Sequence, residues 1–200
     1  FLAISILATF IVLLFSKFLG FSLILITVWV YYFFRDPERY SINDDSYLVS
    51  PADGLITDIS ERSGPEELRL ENTSFTKISI FMNVFNCHVN RVPVSGKVEE
   101  IYYKPGKFLN ASLDKASEEN ERNYFKIKLS NGEEIIIVQI AGLIARRIVC
   151  EVEQGQDLKQ GERIGMIRFG SRVDIYFKNK KVLAKLGQNV VSGESLIASD

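Results

Sequence analysis

The sequence has little of what several common functional sites require. It contains one histidine and two cysteines, and these cysteines, Cys87 and Cys150, are not in the paired spacing that indicates a zinc site. A chain of 200 residues does not need disulfide bonds to hold its core, so we expect a reducing compartment and no structural metal. Lysine and arginine total 24 against 25 acidic residues, which excludes the basic excess typical of nucleic-acid-binding proteins.

Charge is almost absent from the first 34 residues, where Lys17 is the single charged side chain. One straight helix of that length would be about 50 Å long, well beyond the roughly 30 Å hydrocarbon core of a bilayer. Two apolar runs, residues 1–15 and 21–34, fit better, with a turn at residues 16–20 that contains a charge and a glycine. Because each run is shorter than the roughly 20 residues of a comfortable span, a hairpin that dips into the bilayer competes with two short spans.

A cleaved signal peptide is the other interpretation of this segment. No basic region precedes the apolar run and no small-residue cleavage site precedes residues 29–34, which argues against it. Trp29, Tyr31 and Tyr32 are rings that settle at membrane interfaces, and Arg35 follows them. We therefore expect residues 1–34 to be a hydrophobic helical membrane segment, with residues 35–200 on the cytoplasmic face of the cell membrane.

From residue 35 onward the sequence has no long amphipathic helical pattern and consists of short β-type runs between turn residues. Asn131-Gly132 lies between two such runs and predicts a β-hairpin with a two-residue loop. The runs predicted as strands are 77–84, 96–103, 124–129, 134–140 and 144–152.

One glycine pattern occurs twice in the last third of the chain. Residues 155–164 and 187–196 both have glycine at the first and seventh positions and an apolar residue at the fourth and tenth. Such spacing predicts tight turns at the glycines and inward-pointing apolar side chains. The pattern resembles the barrel-sandwich hybrid domains of lipoyl and biotinyl carriers, so we predict a mainly β, barrel-sandwich-hybrid-like domain. The Met-Lys type of turn that carrier function needs is not at the corresponding place.

A Gly-Ser pair, Gly170-Ser171, interrupts a β-type run near the C-terminus. Taken alone, such a pair is typical of a β-bulge or of a close approach of two backbones. Glycine lacks a Cβ, however, so the hydroxyl of Ser171 is able to reach the carbonyl of Gly170 in conformations that another residue would block.

Six motifs, in this order, resemble those of the short form of phosphatidylserine decarboxylase. The resemblance covers residues 35–200, and the hydrophobic segment before them also suits that family. The motifs are SPADG at 50–54, CHVNRVP at 87–93, ERN at 121–123, AGLIARR at 141–147, GERIG at 161–165 and FGS at 169–171.

The resemblance implies that the chain is a proenzyme that cleaves itself. The hydroxyl of Ser171 would attack the carbonyl of Gly170, and β-elimination and hydrolysis would convert Ser171 into a covalent pyruvoyl group. Residues 1–170 and 171–200 would remain associated as two chains. The pyruvoyl carbonyl would form a Schiff base with phosphatidylserine and accept the electrons released with carbon dioxide, which gives phosphatidylethanolamine.

The resemblance also assigns catalytic roles to Asp53 and His88, as the carboxylate and the imidazole that activate a serine hydroxyl. By themselves, Asp53 is an ordinary turn residue and His88 an ordinary core or surface histidine. Longer bacterial members have a second histidine, linked to serine activation, where this chain has Arg91. His88 matches the first, so two assignments stay open. Either His88 serves both self-cleavage and substrate protonation, or Arg91 takes a different part.

If Arg91 does not take the place of the second histidine, it would bind the phosphate or carboxylate of the phospholipid substrate, for which the guanidinium group is suited. Arg146 and Arg147 are further candidates. Because neighbouring residues on a strand face opposite sides, we expect one of the two to point into the site, and we assign Arg146 with Arg91 to substrate binding.

Three alternatives differ in class or in substrate. A noncatalytic membrane-tethered barrel-sandwich module would keep the chain intact, and a decarboxylase of an archaeal-type serine phospholipid would share the same head group. A thiol hydrolase that uses Cys87 and His88 is disfavoured, because neighbours on a strand point to opposite faces. The sequence leaves open whether several copies associate as a homo-oligomer.

Overall fold

The computed structural model describes residues 1–106, 119–142, 147–168 and 171–200, which divide into a unit of residues 1–37 and a unit of residues 38–200. In the first unit the apolar runs form two helices, α1 (Leu2–Phe15) and α2 (Lys17–Phe33). Ser16 separates them in an extended conformation, and its hydroxyl accepts a hydrogen bond from the amide of Leu19 at 3.4 Å. The predicted turn over residues 16–20 is therefore wrong, since residues 17–20 already form the first turn of α2.

The two helices pack against each other as a hairpin. The hydroxyls of Thr9 and Thr27 lie 3.1 Å apart, and Gly20 lies directly against Leu13, where a Cβ would be 2.3 Å from Leu13 Cδ2. The helices contain 14 and 17 residues. Within the described part of the chain, no helix has both the length and the apolar character that crossing a bilayer requires. Membrane association of residues 1–34 stays a prediction.

The second unit is built from antiparallel strands, which confirms the prediction of a mainly β domain. The strands in its described residues are β1 Tyr47–Val49, β2 Gly54–Ser63, β3 Ser74–Met82, β4 Val89–Arg91, β5 Gly96–Lys104, β6 Arg122–Lys128, β7 Glu134–Ile140, β8 Ile148–Cys150, β9 Asp157–Leu158, β10 Arg163–Ile167, β11 Ser171–Phe177, β12 Lys181–Val182, β13 Asn189–Val190 and β14 Leu196–Ser199. These described strands form three sheets, with orders β1-β14-β12, β4-β10-β8 and β13-β2-β3-β11-β7-β6-β5-β9. A short 3-10 helix, Glu66–Leu68, lies between β2 and β3.

The central strands of the large sheet are buried on both faces. In β7, Ile135 and Ile137 face the main core, whereas Ile136, Val138 and Ile140 pack in a smaller cluster on the reverse face. This explains why β7 has a continuous apolar sequence rather than an alternating one. Strands β3, β6 and β11 contribute alternate residues to the same two clusters.

Of the five predicted strands, 134–140 has the bounds that the structure gives it, and the other four differ from the described strands at one or both ends. The strand predicted at 77–84 ends at Met82, because Asn83 and Asn86 close a turn in which Asn86 Oδ1 accepts from the Asn83 amide at 2.9 Å. Of the strand predicted at 144–152, only Ile148–Cys150 is a strand in the described residues, and 143–146 lie outside them.

The predicted hairpin is confirmed, but its two-residue loop is wrong. Lys128 of β6 pairs with Glu134 of β7 next to the loop, and the pairing continues away from the loop to Arg122 and Ile140. Across the loop, the Leu129 amide donates to the carbonyl of Glu133. Gly132 alone in the loop has a positive φ, of 86°. Three residues, 130–132, therefore make the connection, as in hairpins whose glycine forms a bulge after a turn.

The repeated glycine pattern is confirmed as a pattern of turns. Its four glycines, at 155, 161, 187 and 193, have φ values of 90°, 83°, 79° and 77°, which side chains with a Cβ rarely adopt. Leu158, Ile164 and Val190 are buried as predicted, and Leu196 is partly buried.

We expect Ile137→Ala to destabilise the β unit by about 2–5 kcal/mol, because the side chain is fully buried in the main core and its loss leaves a cavity. Denaturant unfolding in detergent measures the change. Leu186→Ala is the matched control, since Leu186 is 67% exposed. Equal stability of the two variants would contradict this assignment of the core.

Candidate functional site

Ser171 is the first residue of β11 and is completely buried. It pairs with Met82 on β3 and shares a face with Val173 and Ile175, which belong to the main core. Its hydroxyl donates to the thioether sulfur of Met82 at 3.5 Å. A thioether is a weak acceptor, so this contact holds the hydroxyl in a dry site without binding it strongly.

Asp53 lies at the same end of the sheet as Ser171. It directly precedes Gly54, the first residue of β2, and β2 is separated from β11 only by β3. Leu55 pairs with Phe81, and Ser171 pairs with the next residue of β3, Met82. Because neighbouring strands are about 4.8 Å apart, this register brings Asp53 and Ser171 to one edge of the structure, two strands apart.

A close backbone approach positions the Asp53 carboxylate. Gly54 has a φ of 156°, and a Cβ on it would lie 2.2 Å from the carbonyl oxygen of Phe81. The carboxylate accepts from Arg39 Nη2 at 2.9 and 3.2 Å and from the Ser192 amide at 2.7 Å. Within the described residues its hydrogen-bond partners are these two, and His88 is not among them. No motif in the sequence indicates this role for Arg39.

His88 is also completely buried and lies just before β4. Its carbonyl accepts from the amide of Ile167, the last residue of β10, at 3.3 Å. Because Ile167 is four residues before Ser171 in the chain, this bond ties His88 to the segment that leads into β11. The ring nitrogen Nδ1 lies 3.0 Å from the carbonyl oxygen of Asn86. A carbonyl only accepts, so in the neutral ring Nδ1 carries the proton and Nε2 is the basic nitrogen.

Of the two predicted substrate-binding residues, the structure describes Arg91, and its side chain faces away from Ser171. Arg91 is 7% exposed and its Nη1 donates to the carbonyl of Gly161 at 2.9 Å. It follows Asn90, which contacts Met82, so the alternation of β4 directs Arg91 to the other face. There it lines an open groove of about 580 Å³ together with Lys159 and other residues. Gly170 and Arg146 lie outside the described residues.

Sequence reasoning missed a chain of buried amides beside Ser171. Asn123 Nδ2 donates to Gln139 Oε1 at 3.4 Å, and Gln139 Nε2 donates to Asn90 Oδ1 at 2.8 Å. Asn90 Nδ2 then contacts the Met82 sulfur at 3.7 Å. The signal that could have found them is a polar residue at a core-facing position of an apolar strand, such as Gln139 after Ile135 and Ile137.

On the reverse face of β11, a buried ion pair lies next to Ser171. Arg172 Nε lies 2.9 Å from Asp174 Oδ1, and both side chains are at most 5% exposed. Burial and then the Asp174 carboxylate raise the pKa of the Tyr176 hydroxyl above its ordinary value, so this tyrosine stays neutral.

On β5, burial and then the Glu121 carboxylate raise the pKa of the Tyr103 hydroxyl above its ordinary value.

Comparison with known proteins adds the family. A family model described as phosphatidylserine decarboxylase matches residues 26–198. The chain is 65% identical over 198 residues to a phosphatidylserine decarboxylase proenzyme of Pelagibacter ubique, covering 99% of this chain and 92% of that protein. It is 50% identical over 191 residues to the proenzyme of Ruegeria pomeroyi (95% and 87% covered), and 48% identical over 199 residues to that of Rickettsia prowazekii (99% and 86%). The chain belongs to the phosphatidylserine decarboxylase family.

Proposed function

We propose that this chain is a proenzyme that cleaves itself between Gly170 and Ser171 and then decarboxylates phosphatidylserine to phosphatidylethanolamine. The names of its relatives, phosphatidylserine decarboxylase proenzymes 65% and 50% identical over 99% and 95% of this chain, support the reaction. The observation that carries the proposal for the site is the strand register, which brings the buried Ser171 to the sheet end where Asp53 also lies. The repeated glycine turns support a barrel-sandwich-hybrid type of fold.

The proposed self-cleavage begins with attack of Ser171 Oγ on the Gly170 carbonyl. The serine proton passes to a base, for which His88 Nε2 is our candidate because Nδ1 is held by the Asn86 carbonyl. Breaking of the C–N bond gives an ester, and the residue 171 nitrogen takes up the proton. Loss of the Cα proton of residue 171 then releases the carboxylate of residue 170 by β-elimination, and hydrolysis releases ammonia.

The surroundings of residue 171 fit the pyruvoyl group that would result. The position is completely buried beside a thioether and apolar core residues, so water is kept from a reactive carbonyl. When formed, the group supplies the electron sink for loss of carbon dioxide. The protein's own part is to hold the substrate and to protonate the carbon that loses the carboxyl group, for which His88 is the proposed acid.

For substrate binding we propose Arg91 and Arg146. The groove beside Arg91 supports the first, since Lys159 and Arg163 line it as well as Glu151 and Glu162, and guanidinium and ammonium groups suit the phosphate of a phospholipid head group. Arg146 rests on the family resemblance alone.

We also propose that residues 1–34 bind the membrane that contains the substrate, with the β unit on its cytoplasmic side. Large apolar side chains of the helices are exposed in this unit, among them Phe10 at 63% and Leu14 at 70%. Such surfaces mark interaction sites with lipid or protein. The position of Arg35 after the aromatic-rich residues 29–34 supports the orientation.

We expect Ser171→Ala to leave the chain uncut, because the nucleophile is removed. The unaltered protein is expected to give two chains on a denaturing gel. The matched control is Ser79→Ala, which removes another buried serine hydroxyl from the same sheet and should be cut normally. An uncut wild-type chain, or a cut Ser171→Ala chain, would overturn the proposed function.

Asp53→Asn is expected to slow self-cleavage at least about tenfold, because it removes the carboxylate that would assist the base. Arg39→Gln should be cut at close to the normal rate, since it leaves the Asp53 carboxylate itself in place and still bound to the Ser192 amide. Pulse-labelled protein followed over time on gels gives both rates. Equal slowing in the two variants would instead show that Asp53 acts through its ion pair with Arg39.

The double variant Phe10→Glu/Leu14→Glu should weaken binding to vesicles of phosphatidylglycerol and phosphatidylcholine by about tenfold or more, since two exposed apolar side chains of one helix face become charged. Cosedimentation measures this, with Leu186→Glu in the β unit as control. Unchanged binding of the double variant would contradict the membrane role of these helices.

A further inference from the structure

The buried amides Asn123, Gln139 and Asn90 form a chain that ends beside Ser171. All three are at most 2% exposed, and they come from β6, β7 and β4. Gln139 Oε1 accepts from Asn123 Nδ2 at 3.4 Å, and Asn90 Oδ1 accepts from Gln139 Nε2 at 2.8 Å. The chain therefore has a direction, in which every amide donates toward Met82 and Ser171. We call it the amide chain below.

The sulfur of Met82 fixes this direction. A thioether accepts hydrogen bonds and cannot donate them, so an amide oxygen turned toward it would have no partner there. The group of Asn90 that faces the sulfur, at 3.7 Å, is accordingly the NH2 group. The same sulfur accepts from Ser171 Oγ at 3.5 Å. The last donor of the amide chain and the candidate nucleophile thus converge on one weak acceptor.

Stability does not explain this arrangement. A buried amide costs free energy unless good acceptors satisfy its hydrogens, and a thioether satisfies them poorly. The other core-facing positions of β6 and β7, such as Phe125, Ile127, Ile135 and Ile137, are apolar. Polar side chains enter the core side of these two strands at the end where Ser171 lies. The Asn90 amide is a strong donor, and the Met82 sulfur beside it is a weak acceptor. Such a donor is positioned to bind a stronger acceptor, such as an anionic oxygen that forms next to Ser171 during a reaction.

We propose that Asn90 Nδ2 donates a hydrogen bond to the oxygen that becomes negative during self-cleavage, and that Gln139 and Asn123 hold the Asn90 amide in position. This inference rests on the proposed self-cleavage at Ser171. When Ser171 Oγ bonds to the carbonyl carbon of residue 170, the electron pair of the C=O double bond moves to oxygen and the serine proton goes to the base. The anionic oxygen accepts from Asn90 until the C–N bond breaks and the pair returns.

Asn90→Ala removes this donor and should slow self-cleavage by about 10²–10³-fold, the usual loss for one donor to such an oxygen. Asn90→Asp keeps the shape, and its carboxylate accepts from Gln139 as Asn90 does. Its cleavage should be slow at about pH 8, where a carboxylate repels the anion, and should recover relative to the wild type toward about pH 5, where a buried carboxyl gains a proton and donates. Gln139→Leu, which leaves the Asn90 oxygen without its donor, should give a smaller slowing.

The test uses the full-length chain, made by cell-free synthesis in detergent with a labelled pulse and followed on gels between these pH values. Ser79→Ala is the control for loss of a buried polar group on the other face of the sheet. Melting temperatures show whether each variant folds. If Asn90→Ala does not fold, the ratio of Asn90→Asp to wild-type rates decides the question.

A ratio that rises as the pH falls supports the donor role. A ratio that is independent of pH, or cleavage of folded Asn90→Ala at the wild-type rate, would overturn it and make the amide chain purely structural. These outcomes differ from failure of the proposed function, in which the wild-type chain itself stays uncut.

Discussion

The position of Ser171 depends on the hydrogen-bond ladder that holds β11 between β3 and β7. Register along this ladder pairs Ser171 with Met82 and sets alternate residues of β11 into the main core. A shift of one residue would turn the Ser171 hydroxyl to the reverse face, where Arg172 and Asp174 now pair. That buried ion pair and the apolar side chains of the core face would both be misplaced, so the register is strongly specified.

The other features of the site follow from the register of β11 between β3 and β7. The serine hydroxyl is dry because the core closes around the start of β11, and the polar groups near it are supplied by neighbouring strands. His88 is bound through its carbonyl to the end of β10, and Asp53 is held where β2 begins. The proposed self-cleavage would leave β11 paired with β3 and β7 along both its edges, so the two resulting chains would stay together.

Much of the fold could be predicted because it follows from local chemistry. The glycines at 155, 161, 187 and 193 form the expected turns, and the hairpin near Asn131 is where the sequence indicates it. The length of its loop was not predictable from the dipeptide, since a third residue joins the loop when only the glycine takes a positive φ. Likewise, the early end of β3 depends on side-chain bonds of two asparagines within one turn.

Candidate site residues could be named from the sequence only where a residue has a distinctive type. Ser171, His88 and Asp53 belong to recognisable motifs, and their roles stay predictions. Arg39 and the amide chain are visible only as contacts between residues far apart in sequence. Gln139, for example, is one polar residue in an apolar strand, and its bond to Asn90 spans 49 positions. No local pattern carries such a pairing, because strand order and register determine it.

The mass of the smaller chain tests the central claim most directly. Intact-mass spectrometry of the purified protein should show a chain of residues 171–200 that begins with a pyruvoyl group in place of serine, next to a chain that ends at Gly170. A single mass for residues 1–200, or a smaller chain that begins with an ordinary serine, would contradict the account.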